Sequence, residues 1–190
     1  MGYLGLDETP VKDDNLFQRL FWPSDNASDT DALGVQGFWI CMIVAALSTI
    51  WLLVAGSVVT ALITLAFFVL GGIGVREHSV PAAVLVAFAY LVGIVGNIFL
   101  GIPPGVLPII AATMLLTNSR ATHIANRWAK DGDPSAMPER RQETVLDRFV
   151  DQMPSKVWPA ARFGFFCVAG VYCGLLIAGT LIVALHPHHL

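Results

Sequence analysis

The chain has 190 residues, of which 55% are hydrophobic and 13% charged, with a net charge of −3. A soluble domain gives about a quarter of its residues to charge, so this composition excludes an ordinary water-soluble fold and assigns the surplus apolar surface to lipid. The balanced charge, with no basic patch interleaved with aromatics, excludes nucleic acid as a partner.

Residues 1–36 carry seven acidic side chains and no apolar run of the signal-peptide kind. The apolar block that follows is expected to act as an uncleaved signal anchor. Leu16, Phe17, Leu20 and Phe21 recur at helical spacing, and Trp22 suits a headgroup boundary. A short helix is predicted here, lying on the membrane or, in the alternative, docked on a partner.

Residues 37–75 form one uninterrupted apolar block. As a single helix it would be about 58 Å long, nearly twice the hydrocarbon thickness. It must fold back, and Gly56-Ser57 is the only turn signal, giving spans at 38–55 and 58–75. Arg76-Glu77-His78-Ser79 returns the chain, and Pro81 suits the first turn of a third span at 82–100. Along that span Ala89, Gly93, Asn97 and Gly101 recur every four residues. Such a stripe lets helices approach closely in lipid, with Asn97 able to bond a neighbour.

Gly101-Ile102-Pro103-Pro104-Gly105 makes the next turn. The fourth span, 106–125, stays apolar only to Leu116, and Asn118, Ser119, Arg120, Thr122 and His123 follow. The helix is expected to continue into the cytoplasmic interface, where Arg120 and Arg127 reach headgroups. A re-entrant segment is the competing reading. It would place the charge-rich residues 118–162 outside, against the charge rule.

A cytoplasmic loop at 128–160 contains a predicted amphipathic helix at 138–152, with Val145, Leu146, Phe149 and Val150 on one face. Pro154 and Pro159 are expected to end it. Five bases and six acids between residues 130 and 156 exclude a polybasic lipid switch. The last span, 162–185, is preceded by Trp158 as an interfacial anchor and holds a ladder of Gly170, Gly174 and Ala178.

With five crossings, all eleven Lys and Arg and all fourteen Asp and Glu fall on one side of the bilayer. Basic loops stay cytoplasmic, so the expected orientation is N-terminus in and C-terminus out. Ionisable residues at membrane depth mark proton relays and substrate pathways, and the span cores have none. Their deepest polar side chains are Ser48, Thr49, Thr60, Thr64, Tyr90, Asn97, Thr113, Tyr172 and Thr180, all neutral. This argues against a pump or proton-coupled antiporter and leaves a neutral pore open.

Other chemical signals are weak. His186, His188 and His189 are the best metal candidates, but three imidazoles around a Pro, with no carboxylate or thiol on that face, fall short of a convergent site. His78 and His123 are expected near the cytoplasmic surface, and the mid-helix His usual for a buried haem is missing. Gly71-Gly72-Ile73-Gly74 lacks the context of a phosphate loop and is assigned to close packing. Cys41, Cys167 and Cys173 lie within spans and read as structural thiols.

The reading is an all-α polytopic integral membrane protein of five transmembrane helices with short interfacial helices. It comprises a cytoplasmic segment at 1–36 and one membrane domain at 37–190, placed in a cell membrane of the bacterial inner-membrane kind. The expected function is structural: an accessory or scaffold subunit, not an enzyme, without cofactor. It would sit in the lipid bilayer as a homo-oligomer or against other membrane subunits. Its packing residues are Ala89, Gly93, Asn97, Gly101, Gly170, Gly174 and Ala178. The alternative is a small oligomeric channel or facilitator for a neutral solute.

Overall fold

The turns fall where backbone chemistry requires them. In the computed structural model, residues 27–131 and 145–185 are described, and they form five helices: α1 Ala27–Val54, α2 Val58–Arg76, α3 Val80–Phe99, α4 Val106–Asp131 and α5 Val145–Leu185. Gly56 (φ 77°) and Gly101 (φ 75°) hold left-handed conformations just after α1 and α3. In each case the next amide donates back five residues, Ser57 to the Leu52 carbonyl and Ile102 to the Asn97 carbonyl, which is the Schellman closure. The turn after α2 closes the same way, Ser79 to Gly74, but with His78 at φ 52° in the glycine position. A non-glycine residue there is uncommon.

The helices alternate in direction. Gly37 of α1 lies against Val75 of α2 and Asn118 of α4, while Gly74 of α2 lies against Trp158 of α5 and Ala82 of α3. These contacts define one end of the bundle, which carries the Arg76-Glu77-His78-Ser79 turn. The opposite end carries the uncharged turns at Gly56 and Gly101.

α2 is the hub, packing on α1, α3 and α5. Its three glycines each admit a different neighbour: Gly71 faces Val86 and Phe165, Gly72 faces Cys41 and Met42, and Gly74 faces Trp158 and Ala82. The Gly-Gly-Ile-Gly run is thus a packing device. Above it runs an aromatic spine, with Phe67 stacked on Phe165 at 5.8 Å and on Tyr172 at 4.4 Å, and Phe68 edge-on to Tyr90 at 6.4 Å.

Three expectations are corrected. α1 begins at Ala27, well before residue 38, because Leu33, Gly34, Gly37, Phe38 and Cys41 form one buried helical face that continues the span's own. Pro154 and Pro159 do not end a helix: α5 runs through both as one 41-residue element. A proline removes a single backbone bond, and packing of Val150 with Phe38 and Ile73 and of Trp158 beside Gly74 holds the helix on both sides of the break. Trp158 is therefore a half-buried packing residue within the bundle, and the apolar face of the predicted loop helix continues onto the bundle at Val150.

By length and composition, the five helices are not equally apolar. Leu33–Val54, Val58–Arg76, Val80–Phe99 and Gln152–Leu185 are long and apolar enough to cross a membrane, and α4 is not among them. Its polar half is built into the bundle instead. Asn118, Ala121, Thr122 and Ala125 are buried at helical spacing, while Arg120, His123 and Arg127 are exposed on the other side. Ser119 donates to the Ala83 carbonyl of α3 at 3.1 Å, tying the two helices together. The predicted helix at residues 15–22, the 138–144 part of the helix predicted at 138–152, and the His186, His188 and His189 tail lie outside the described residues.

Candidate functional site

Six of the nine deep neutral polar side chains converge. Ser48 from α1, Thr60 and Thr64 from α2, Asn97 from α3, and Tyr172 and Thr180 from α5 line one cleft of about 610 Å³ at the uncharged end of the bundle. The remaining three lie outside the cleft lining. Thr113 donates to the Ile109 carbonyl at 2.9 Å, Tyr90 packs edge-on against Phe68, and the buried Thr49 hydroxyl finds no partner among the described residues.

The cleft is built by the same four helices that are apolar enough to span a membrane. α1 and α5 each pack on α2 and make little contact with each other, so a gap opens between their outer halves. Tyr172 is set at its floor by the aromatic spine, stacked on Phe67 and edge-on to Phe68 at 5.9 Å. Thr64, one turn above those rings and only 2% exposed, lines the cleft beside Tyr172. The rim is apolar: Leu47, Trp51 and Leu175 are all more than half exposed. Among the described residues, no Asp, Glu, Lys, Arg or His lines the cleft.

The expected packing residues divide. Ala89 is buried in the core. Gly93 and Asn97 face the cleft, and a Cβ at Gly93 would meet nothing within 4 Å. Gly101 is a turn residue. Gly170, Gly174 and Ala178 are exposed, and added Cβ atoms at the two glycines would meet nothing. Within the chain, the close contact expected along this ladder is absent among the described residues. α5 turns its aromatic face, Phe165 and Tyr172, toward α2 instead. Gly71, Gly72 and Gly74, assigned to close packing from the sequence, do meet neighbouring helices, whereas sequence reasoning missed Gly37 and Gly96 as contact glycines, of which Gly96 lies against the Thr180 hydroxyl.

A second polar cluster occupies the opposite end. Arg76, 1% exposed, closes α2, where a cation complements the helix dipole. Gly34 of α1 approaches both its guanidinium and the His78 ring, so absence of a side chain there makes room for the pair. His123, by contrast, is exposed on α4. Cys41 is buried, Cys173 half-buried and Cys167 exposed, all as free thiols. Among the described residues no three His, Cys, Asp or Glu side chains are grouped as a metal site.

The fold therefore defines an all-helical bundle with four helices fit to cross a membrane and one neutral, hydroxyl-lined cleft. No known protein family matches the chain, and no curated protein or solved structure does so either.

Proposed function

We propose that the chain is a multi-pass integral membrane protein of a cell membrane, N-terminus in and C-terminus out, that serves as an accessory or scaffold subunit in a homo-oligomer or beside other membrane subunits. One observation carries this reading: the outward face of α5 is left uncovered along its apolar stretch. Only 6% of its most apolar stretch is buried inside the chain, against 50% for α2. Along that bare face Gly170 and Gly174 open on empty space. A mid-helix glycine costs about 1 kcal/mol relative to alanine, and no contact among the described residues offsets it. A second helix seated on the ladder does, since small residues let backbones approach in lipid.

The test is purification in mild detergent with native mass determination. Wild-type protein is expected as an oligomer or with stoichiometric companions. The pair Gly170→Leu and Gly174→Leu is expected to lower that association about tenfold while leaving the thermal midpoint of the chain itself unchanged. A monomer without companions defeats the proposal.

The cleft favours a second reading, a facilitator for a neutral solute. Its hydroxyls and amide are of the kind that line neutral pores, and none can change charge to couple transport to a gradient. Proteoliposomes holding only this chain should then show passive flux insensitive to imposed pH and Na⁺ gradients. Concentrative uptake that collapses with either gradient would overturn both readings.

A further inference from the structure

The cleft at the uncharged end has features that in-chain packing does not explain. Gly93 of α3 and Gly179 of α5 both border it, and a Cβ at either would meet nothing within 4 Å. Both glycines therefore widen the space instead of admitting a neighbouring helix. Gly96, on the same wall, behaves differently: it lets Thr180 of α5 come within 3.0 Å of where its Cβ would lie. α3 and α5 are thus held together at Gly96 and kept open at Gly93 and Gly179. The resulting volume, about 610 Å³, falls within the range of small-molecule sites, roughly 300–1,000 Å³.

The lining selects the ligand. Without an acidic, basic or imidazole side chain, a charged molecule would lose its hydration with no counter-charge to replace it. The floor pair, Thr64 and Tyr172, brings two hydroxyls to the cleft lining. A hydroxyl offers one donor and accepts at its lone pairs, so the pair can serve one carbonyl or hydroxyl oxygen. Above it, Leu47, Trp51 and Leu175 offer an exposed apolar rim suited to a hydrocarbon or aromatic body. We propose that this cleft binds a compact uncharged amphiphile, with a carbonyl or hydroxyl group at the Thr64–Tyr172 floor and an apolar body against Trp51 and the leucines. The site stands apart from the accessory role, which rests on the bare face of α5.

The experiment is photolabelling of the full chain in phosphatidylcholine nanodiscs, with inserted sites mapped by peptide mass spectrometry. The probe is 4-benzoylbenzyl alcohol, a neutral ketone with a hydroxyl. Its carboxylate counterpart, 4-benzoylbenzoic acid, has the same skeleton and a charge. The alcohol is expected to insert into residues 47–52, 93–100 and 172–183 about tenfold more than the acid. Gly93→Phe and Gly179→Phe, on different helices, should each lower that labelling about tenfold by filling the space. Thr64→Val combined with Tyr172→Phe should weaken it several-fold, and Leu107→Phe, on the exposed face of α4 outside the cleft, should leave it unchanged. A variant whose thermal midpoint collapses is replaced by competition on wild type, where excess 4-benzylbenzyl alcohol should abolish labelling. Equal labelling by alcohol and acid overturns the proposal, as does labelling scattered over exposed apolar faces or insensitive to both filling variants and competitor.

Discussion

Gly74→Val is expected to leave little folded protein. A Cβ at this position would lie 2.5 Å from the Trp158 ring and 2.7 Å from the Ala82 Cβ. The Ala82 contact is the decisive one, because that atom is fixed to the α3 backbone and cannot swing aside. Relief requires α2 and α3 to separate, at the point where α5 also closes on them. Overpacking a tight core costs about 1–3 kcal/mol, occasionally more, and a branched side chain wedged among three helices belongs at the upper end. About 3 kcal/mol corresponds to a population ratio changed by more than a hundredfold. The measurement is the thermal midpoint and the monodisperse yield in detergent. Gly174→Val is the matched control: it adds the same atoms to a helix of the same bundle but in open space, so its midpoint should scarcely move. Adding Trp158→Leu to Gly74→Val should recover part of the loss, since it removes one of the two obstacles and the coupling of adjacent residues is measurable. Equal midpoints for Gly74→Val and Gly174→Val would refute the hub role of this glycine.

A membrane-impermeant maleimide should label a cysteine at Gly105 in intact cells and one at Arg127 only after permeabilisation. Both sites are exposed and both border α4 or belong to it, so accessibility separates them by side and not by burial. The background chain carries Cys41→Ala, Cys167→Ala and Cys173→Ala. Crossing by α4 is the demanding part of the proposed topology, since this helix is less apolar than the other four. Its structure offers a physical reason. Asn118 and Thr122 are turned into the bundle, the Thr122 hydroxyl donates to Asn118 Oδ1 at 3.4 Å, and Ser119 donates to the backbone of α3. Polar side chains at membrane depth are tolerated where they face protein and find partners. The exposed Arg120, His123 and Arg127 then lie toward the basic end, where long cations reach headgroups. Labelling of both sites from outside would mean that α4 turns back, and the five-crossing arrangement would fall.

Local chemistry was legible in the sequence. Gly56 and Gly101 mark helix ends because a left-handed residue and its closing bond involve only neighbouring residues. The all-helical class follows from apolar runs of spanning length, and the neutral character of the interior follows from residue identities alone. The helix containing Pro154 and Pro159 was misjudged because a proline's local penalty is only one side of the balance. The contacts of Val150 and Trp158 with α1 and α2, more than seventy residues away in sequence, supply the other. The two glycine patterns look alike as sequence, yet Gly71, Gly72 and Gly74 meet three helices and Gly170 and Gly174 meet none. A small side chain records that something can approach, and only the helix orientations decide whether anything does. The cleft is the clearest case. Ser48, Thr64, Asn97, Tyr172 and Thr180 are legible as deep neutral polar residues, but their positions run from one end of the chain to the other. What brings them to one wall is the rotation of each helix about its own axis, set by the aromatic spine and the hub glycines, and no local rule encodes that rotation.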